Sequence, residues 1–116
     1  MISHWARDRA RGERLPVEQA VHLQTRRTAA LYGFDDRGLL APGYLADVNV
    51  IDLDRLGIAP PEMVYDLPAG GRRLVQRARG YRATVKRGVV VREDDEATGE
   101  RPGRLLRGAQ PAPVPA

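Results

Sequence analysis

The run from Asp35 to Asp52 combines turn residues with a strand pattern, and it divides the chain into two differently patterned parts. Its first half contains Gly38, Pro42 and Gly43, which are residue types that favour turns. Its second half, Ala46 to Asp52, alternates along the chain with the two-residue period of a β-strand. Helical patterns precede this run, and strand and turn patterns follow it. We therefore predict an α+β fold, with N-terminal helices followed by a small, mostly antiparallel, β-sandwich-like sheet.

The clearest helical pattern extends from Pro16 to Tyr32. Proline suits the first position of a helix, and Gly33 favours the end of one. A break in this helix is predicted between Thr25 and Thr28, where two threonines flank two arginines. Nearer the N-terminus, His4 to Asp8 has the composition expected at the end of another helix.

Prolines and glycines interrupt the chain after the first strand. Pro60-Pro61, Pro68 and Gly70-Gly71 predict an irregular stretch from Leu53 to Arg73, with only a short edge strand at Met63 to Tyr65. The β pattern returns at Leu74.

A hairpin is predicted downstream, with strands at 82–86 and 89–92 and a two-residue turn at Arg87-Gly88. The acidic run from Glu93 to Glu96 is typical of a solvated turn. Three segments result: helices at 1–34, a β-domain segment at 35–108, and a disordered Pro/Ala tail at 109–116.

Composition limits the core that this chain can build. Leu, Ile, Val and Phe make up only 27 of 116 residues, little above the level typical of disordered chains. We therefore expect a partner surface, supplied by a homo-oligomer or by a separate barrel chain. The absence of cysteine excludes disulfides and thiolate metal sites. No apolar run is long enough for a membrane span and no signal peptide is evident, so a cytoplasmic location is expected.

The net charge of +4 also raises the alternative of a basic nucleic-acid-binding module. All but one of the 19 basic residues are arginine, and acidic residues are interspersed among them. Tyr81 is the only aromatic residue between Arg72 and Arg87, so platforms for base stacking are scarce. Nucleic acid is therefore the least favoured partner.

Few residues have the pattern of a catalytic or metal-binding site. The two histidines, His4 and His22, lie in neither a His-x-His nor a His-Glu-x-x-His motif. The spacing of His4 and Asp8 allows a contact on a helix, which more often forms a surface hydrogen bond than a metal site. Ser3 directly precedes His4, and adjacent residues do not readily point at one another as a nucleophile and its base.

Among the acids, Asp47 and Asp52 are the most suggestive, because they open and end the predicted strand. Either could act as a ligand or a base, but acids beside turns more often cap the backbone by accepting N–H bonds. We interpret Asp47 as a cap of the preceding turn. We therefore assign no catalytic, cofactor-binding or metal-ligating residue to this chain.

Several segments together resemble one family. The run Asp36-Arg37-Gly38, followed by Pro42-Gly43-Tyr44 and Ala46-Asp47, is similar to the C-terminal part of amidohydrolase-superfamily enzymes of the D-aminoacylase (N-acyl-D-amino-acid deacylase) branch. Other pieces occur in the family's order: 4–8, 15–21, 85–91 and 98–104. The sequence departs from the family at Thr28, where relatives often have proline, and at Arg87, where asparagine is usual.

The resemblance implies that catalysis takes place in a part of the enzyme other than the one represented here. In that family a TIM-like barrel holds zinc through histidines, a carboxylate and a bridging residue, and the enzyme hydrolyses the amide bond of N-acyl-D-amino acids. The family's zinc ligands lie upstream of the part represented here, and N-terminal strands complete its small β-sandwich. We therefore expect a final fragment that acts as a non-catalytic C-terminal module, with zinc only in the complete enzyme. The alternative is a stand-alone structural or oligomerisation module.

Overall fold

The structure, a computed structural model, describes residues 1–113 and confirms the α+β fold. A turn of π-helix at Ser3–Asp8 precedes two short helices, and antiparallel strands follow. The helices are α1 (Val17–Gln24) and α2 (Arg26–Leu31). The strands are β1 (Val48–Ile51), β2 (Gly57–Ile58), β3 (Glu62–Leu67), β4 (Gly71–Val75), β5 (Ala78–Arg79), β6 (Tyr81–Lys86), β7 (Val89–Glu93) and β8 (Glu96–Ala97).

The predicted helix and its break are both confirmed. Thr25 separates α1 from α2 with φ −112° and ψ −89°, which lie outside the helical region. Its hydroxyl donates to the carbonyl oxygen of Val21 at 2.8 Å, so the side chain competes with the helical backbone at the break. Pro16 immediately precedes the first helical residue, and Gly33 follows α2 with φ +69°.

A four-stranded antiparallel sheet, in the order β1-β6-β7-β8, forms the main β unit. The predicted hairpin joins β6 to β7, and both turn residues have positive φ, 52° at Arg87 and 82° at Gly88. This is the backbone of a type I′ turn, which arginine adopts here in place of the more favourable asparagine. The register of β1 shifts between Val50 and Ile51, so the predicted alternation ends at that point.

The short strand predicted at Met63 to Tyr65 lies within β3, but the prediction that the rest of Leu53 to Arg73 is irregular is wrong. β2 pairs with β5, and β3 pairs with β4, to form one two-stranded ribbon that spans residues 57–79 and is called the β-arm below. The N–H of Ala59 donates to the carbonyl of Arg77 at 2.8 Å and bridges the two paired parts. The prolines fall between the paired parts and at the tip, where a short 3-10 turn spans Pro68–Gly70, so they interrupt the ribbon without preventing it.

The chain is extended and has little core. Among the described residues, the buried apolar side chains belong to Ala20, Ala29 and Leu56. The accessible surface is 8953 Å², whereas a compact protein of this mass exposes ~6,300 Å². The radius of gyration is 16.7 Å, against ~13 Å for a compact chain of this length. The structure therefore presents an unusually large surface for its size.

Backbone bonds also hold the start of the predicted tail. The N–H of Gln110 donates to the carbonyl of Gly33 at 2.8 Å, and the N–H of Asp35 donates to the carbonyl of Gln110 at 3.0 Å. Residues 114–116 lie outside the described part, and the division into three segments stays a prediction, as does the sandwich. No helix within residues 1–113 has the length and apolar character needed to cross a membrane.

Candidate functional site

A group of charged residues lies where the loop before β1 meets the β6–β7 turn. This group, called the Asp47 corner, consists of Asp36, Arg37, Asp47, Lys86 and Arg87. The Asp47 carboxylate accepts hydrogen bonds from the Lys86 ammonium and, at 3.0 Å, from the backbone N–H of Arg87. Asp47 therefore joins the loop to a hairpin turn 40 residues further along the chain.

Arg37 adds a second positive charge to the Asp47 corner, beside that of Lys86. The Arg37 guanidinium donates to both carboxylate oxygens of Asp36, at 2.7 and 2.9 Å, and lies 4.0 Å from the Asp47 carboxylate. Hydrogen bonding to Arg37 lowers the pKa of Asp36. Partial burial acts to raise the pKa of Asp47, but the bonds from Lys86 and the Arg87 N–H, with nearby positive charge, outweigh it and lower the pKa.

These contacts favour a structural role for Asp47. A carboxylate with a lowered pKa is a weak base, and its oxygens are already engaged by donors. The bond to the Arg87 N–H shows that Asp47 caps the β6–β7 turn, whereas the sequence suggested the turn preceding the strand. Nothing in this geometry activates a nucleophile or leaves a carboxylate free for a cation.

Asp47→Asn is expected to lower the free energy of unfolding by ~1–2 kcal/mol at pH 7, because the charge-assisted bond to Lys86 is lost. Because the pKa of Asp47 is lowered in the folded chain, its ionised carboxylate stabilises that state at every pH above the pKa of the unfolded chain, ~3.9. That contribution disappears as the pH falls through the native pKa. Urea unfolding at neutral and acidic pH should therefore show the two chains converging in acid. Exposed Asp54→Asn is the control, and a difference independent of pH would contradict this account.

His4 and Asp8, whose spacing allows a contact on a helix, each have another neighbour as partner. Asp8 accepts two hydrogen bonds from Arg7, at 2.6 and 2.8 Å, and these lower its pKa. The ring of His4 instead packs edge-on against Trp5 at a centroid distance of 5.3 Å. Ser3 lies on the same π-helical turn as His4. This region supplies packing and ion pairing, with no arrangement of nucleophile and base.

The remaining candidates lie apart from one another. His22 is exposed in the last turn of α1. Asp52 accepts the N–H of Arg55 at 3.2 Å and lies 3.4 Å from the guanidinium of Arg82, so it caps the turn that follows β1. Within residues 1–113, no three or more His, Asp or Glu side chains come together in a group that could hold a metal ion.

Sequence reasoning missed two residues that organise the backbone. The Arg7 guanidinium donates to the carbonyl oxygens of Leu53, Asp54 (2.9 Å) and Leu56 (2.8 Å), which lie 46 to 49 residues away. These three hydrogen bonds hold the N-terminal turn against the segment after β1. No local sequence pattern around Arg7 indicates acceptors so far along the chain.

Asp95 is the second missed residue, because its acidic run suggested only a solvated turn. Its carboxylate accepts the N–H groups of Gly80 (2.9 Å) and Tyr81 (2.7 Å), and these bonds lower its pKa. Asp94 and Asp95 both have positive φ, as the two central residues of a type I′ turn between β7 and β8 require. An Asp-Asp pair shortly after the predicted strand at 89–92 was the available signal.

Comparisons with known proteins match most of this chain. The model of the amidohydrolase family matches residues 1–92. A D-aminoacylase from Alcaligenes xylosoxydans xylosoxydans is 34% identical over 106 residues, which cover 91% of this chain and 19% of that protein. An N-acyl-D-aspartate deacylase from the same organism is 35% identical over 92 residues, which cover 79% of this chain and 17% of the relative. The chain thus spans less than a fifth of the length of these relatives. No solved structure matches.

Proposed function

The chain belongs to the amidohydrolase family, and from this premise we propose that it is a non-catalytic C-terminal module of an N-acyl-D-amino-acid deacylase-like enzyme. The module packs against a separate catalytic portion and completes its fold. Hydrolysis of the amide bond of N-acyl-D-amino acids, with zinc, takes place in that catalytic portion. The D-aminoacylase and N-acyl-D-aspartate deacylase relatives supply the substrate class.

The observation that carries this proposal is the excess of exposed surface. The chain exposes 8953 Å², which is ~2,700 Å² more than a compact protein of its mass. Obligate protein interfaces bury ~2,000–5,000 Å² in total, or ~1,000–2,500 Å² on each partner, so the excess is as large as the surface that one chain loses in a permanent interface. A module shaped by contact with a larger body is expected to have such a surface.

The helical end of the chain contributes an apolar part of this surface. α2 and the residue after it expose Leu31 (81%) and Tyr32 (65%), and the loop before β1 exposes Leu40 (84%). This loop packs directly against α2, because a side-chain atom added at Gly38 would come within 3.0 Å of Arg26. Exposed apolar residues on two packed elements support a docking surface for the catalytic portion.

The described residues do not fit zinc, the metal that the resemblance implies. They contain no group of three or more His, Asp or Glu side chains placed to ligate it. The acids of the Asp47 corner are bound by arginine and lysine. We therefore assign the metal and the chemistry that it supplies to the catalytic portion.

Metal content and turnover of the purified chain test the non-catalytic assignment. After incubation with zinc and gel filtration, we expect the chain to retain far less than one equivalent and to leave an N-acetyl-D-amino acid intact. The Alcaligenes D-aminoacylase is the positive control. Stoichiometric zinc together with hydrolysis that a chelator abolishes would contradict the proposal.

Nucleic-acid binding is less well supported than the module assignment. Six of the 18 arginines lie within 4 Å of an acidic side chain, among them Arg37 beside Asp36, Arg73 beside Asp66, and Arg77 beside Glu62. Such pairing reduces the positive field that phosphate binding needs.

A further inference from the structure

A small pocket beside the Asp47 corner, called the Arg87 pocket below, is lined mainly by cationic side chains. Its wall consists of two leucines and four cations: Leu45, Leu106, Arg37, Lys86, Arg87 and Arg104. The pocket has a volume of about 20 Å³, which is enough for one water-sized group. It therefore has room for one oxygen of an anion whose other atoms lie at the pocket mouth.

Separate parts of the chain bring the four cations of the Arg87 pocket together. Arg37 lies in the loop before β1, and Arg104 lies in the segment after β8. Lys86 ends β6, and Arg87 is the first residue of the turn that follows. Like charges that line one small pocket repel each other, so this convergence costs free energy unless opposite charge balances it.

The acids of the Asp47 corner balance only half of this charge. Arg37 pairs with Asp36, and Lys86 pairs with Asp47. Within residues 1–113, no acidic side chain lies within 4 Å of the guanidinium of Arg87 or Arg104. Four cations and two carboxylates leave a formal charge of +2 around the pocket.

The backbone at Arg87 gives an independent indication that its side chain has a role. Arg87 has φ +52°, a left-handed conformation that asparagine and glycine adopt at lower cost than arginine. The backbone N–H of Arg87, rather than its guanidinium, donates to Asp47, so the turn does not need an arginine side chain. A strained position with a side chain that the fold does not use points to a function for that side chain.

We propose that the Arg87 pocket binds a phosphate group, either as the free dianion or as a phosphate monoester. Arg87 and Arg104 supply the direct contacts, because guanidinium groups donate paired N–H bonds to phosphate oxygens. The charge of −2 on such a group matches the +2 of the pocket, whereas a carboxylate or a phosphodiester of nucleic acid carries a single charge. This binding is separate from the amide hydrolysis assigned to the catalytic portion and does not depend on it.

A phosphate titration of the native chain at about pH 8 and constant ionic strength tests the proposal, because fixed ionic strength removes general screening as a cause. Heteronuclear NMR follows the Nε–H groups of Arg87 and Arg104. We expect saturable shifts with a dissociation constant of ~1 mM or below, and affinity for acetate ~10-fold weaker. Equal affinity for methyl phosphate would assign the pocket to monoesters as well as the free ion, and weaker affinity would assign it to the free ion alone.

Arg87→Asn separates binding from folding, since asparagine suits this turn position better than arginine. The variant should bind phosphate ~10-fold more weakly or worse, while urea unfolding shows a stability at least equal to that of the native chain. Arg104→Gln should weaken binding by a similar factor. Arg107→Gln is the matched control, because Arg107 is exposed on the same segment but does not line the pocket.

Four results would each overturn the phosphate site. They are the absence of saturable shifts up to about 20 mM phosphate, equal affinity for acetate, unchanged binding by Arg87→Asn or Arg104→Gln, and equal weakening by Arg107→Gln. All of them leave the non-catalytic module assignment standing, since that assignment is tested by zinc content and turnover.

Discussion

Gly80→Ala is expected to lower the free energy of unfolding by ~3–5 kcal/mol, the largest effect of any single substitution considered. Gly80 has φ +92°, a conformation that an L-residue adopts only with strain. A β-carbon there would also lie 2.7 Å from both the N and Cα atoms of Leu56. Backbone atoms cannot swing aside as a flexible side chain would, so the segments that contain Gly80 and Leu56 must move apart.

The position of Gly80 explains why this strain would spread. Its N–H donates to the Asp95 carboxylate at 2.9 Å, and its carbonyl accepts the N–H of Asp52 at 2.9 Å. Its close neighbour Leu56 is one of the few buried apolar residues. The end of β1, the base of the β-arm and the β7–β8 turn therefore meet at this glycine.

Gly99→Ala separates backbone strain from the steric clash. Gly99 has a nearly identical φ of +94°, but no atom lies within 4 Å of its added β-carbon. Its substitution should lower the free energy of unfolding by only ~1–2 kcal/mol, which is the strain of an L-residue at positive φ. Urea unfolding followed by circular dichroism measures both variants. Values for Gly80→Ala and Gly99→Ala within ~1 kcal/mol of each other would show that the contact with Leu56 is unimportant.

Local patterns account for the elements that could be predicted from the sequence. The helix between Pro16 and Tyr32, its break at Thr25 and the Arg87-Gly88 hairpin each depend on residues close together in the chain. Helical periodicity and turn chemistry act over such short distances. The departure from asparagine at Arg87 did not alter the turn, because the flanking strands and Asp47 hold it.

The β-arm could not be predicted from the same kind of pattern. Its strands are interrupted by Pro60-Pro61, and they do not alternate cleanly between apolar and polar residues. Contacts between its strands, such as the ion pair of Arg73 with Asp66, depend on a register that only the folded chain defines. Proline and glycine at the joints and tip of the ribbon are therefore compatible with strand pairing on either side of them.

The contacts of the candidate site also could not be predicted from local sequence patterns. Asp47 could be identified as the most suggestive acid, but its partner at Arg87 lies 40 residues away. Arg7 reaches three carbonyl groups across a similar distance along the chain. Tertiary contacts of this kind leave no periodic signal, so the sequence indicated which acid mattered without showing what it binds.

A chimera tests most directly whether this chain completes a catalytic portion. In it, the segment of the Alcaligenes D-aminoacylase that matches this chain over 106 residues is replaced by the chain itself. The same enzyme without that segment shows what the catalytic portion does unaided. A chimera with Gly80→Ala is the matched control, because it differs only in the folding of the module.

The measurement is zinc-dependent hydrolysis of an N-acyl-D-amino acid by these proteins. We expect the chimera to keep kcat/KM within about tenfold of the parent, a difference of ~1.4 kcal/mol, while the shortened enzyme and the Gly80→Ala chimera lose most activity. A chimera as inactive as the shortened enzyme would contradict the proposal that this chain completes the catalytic portion.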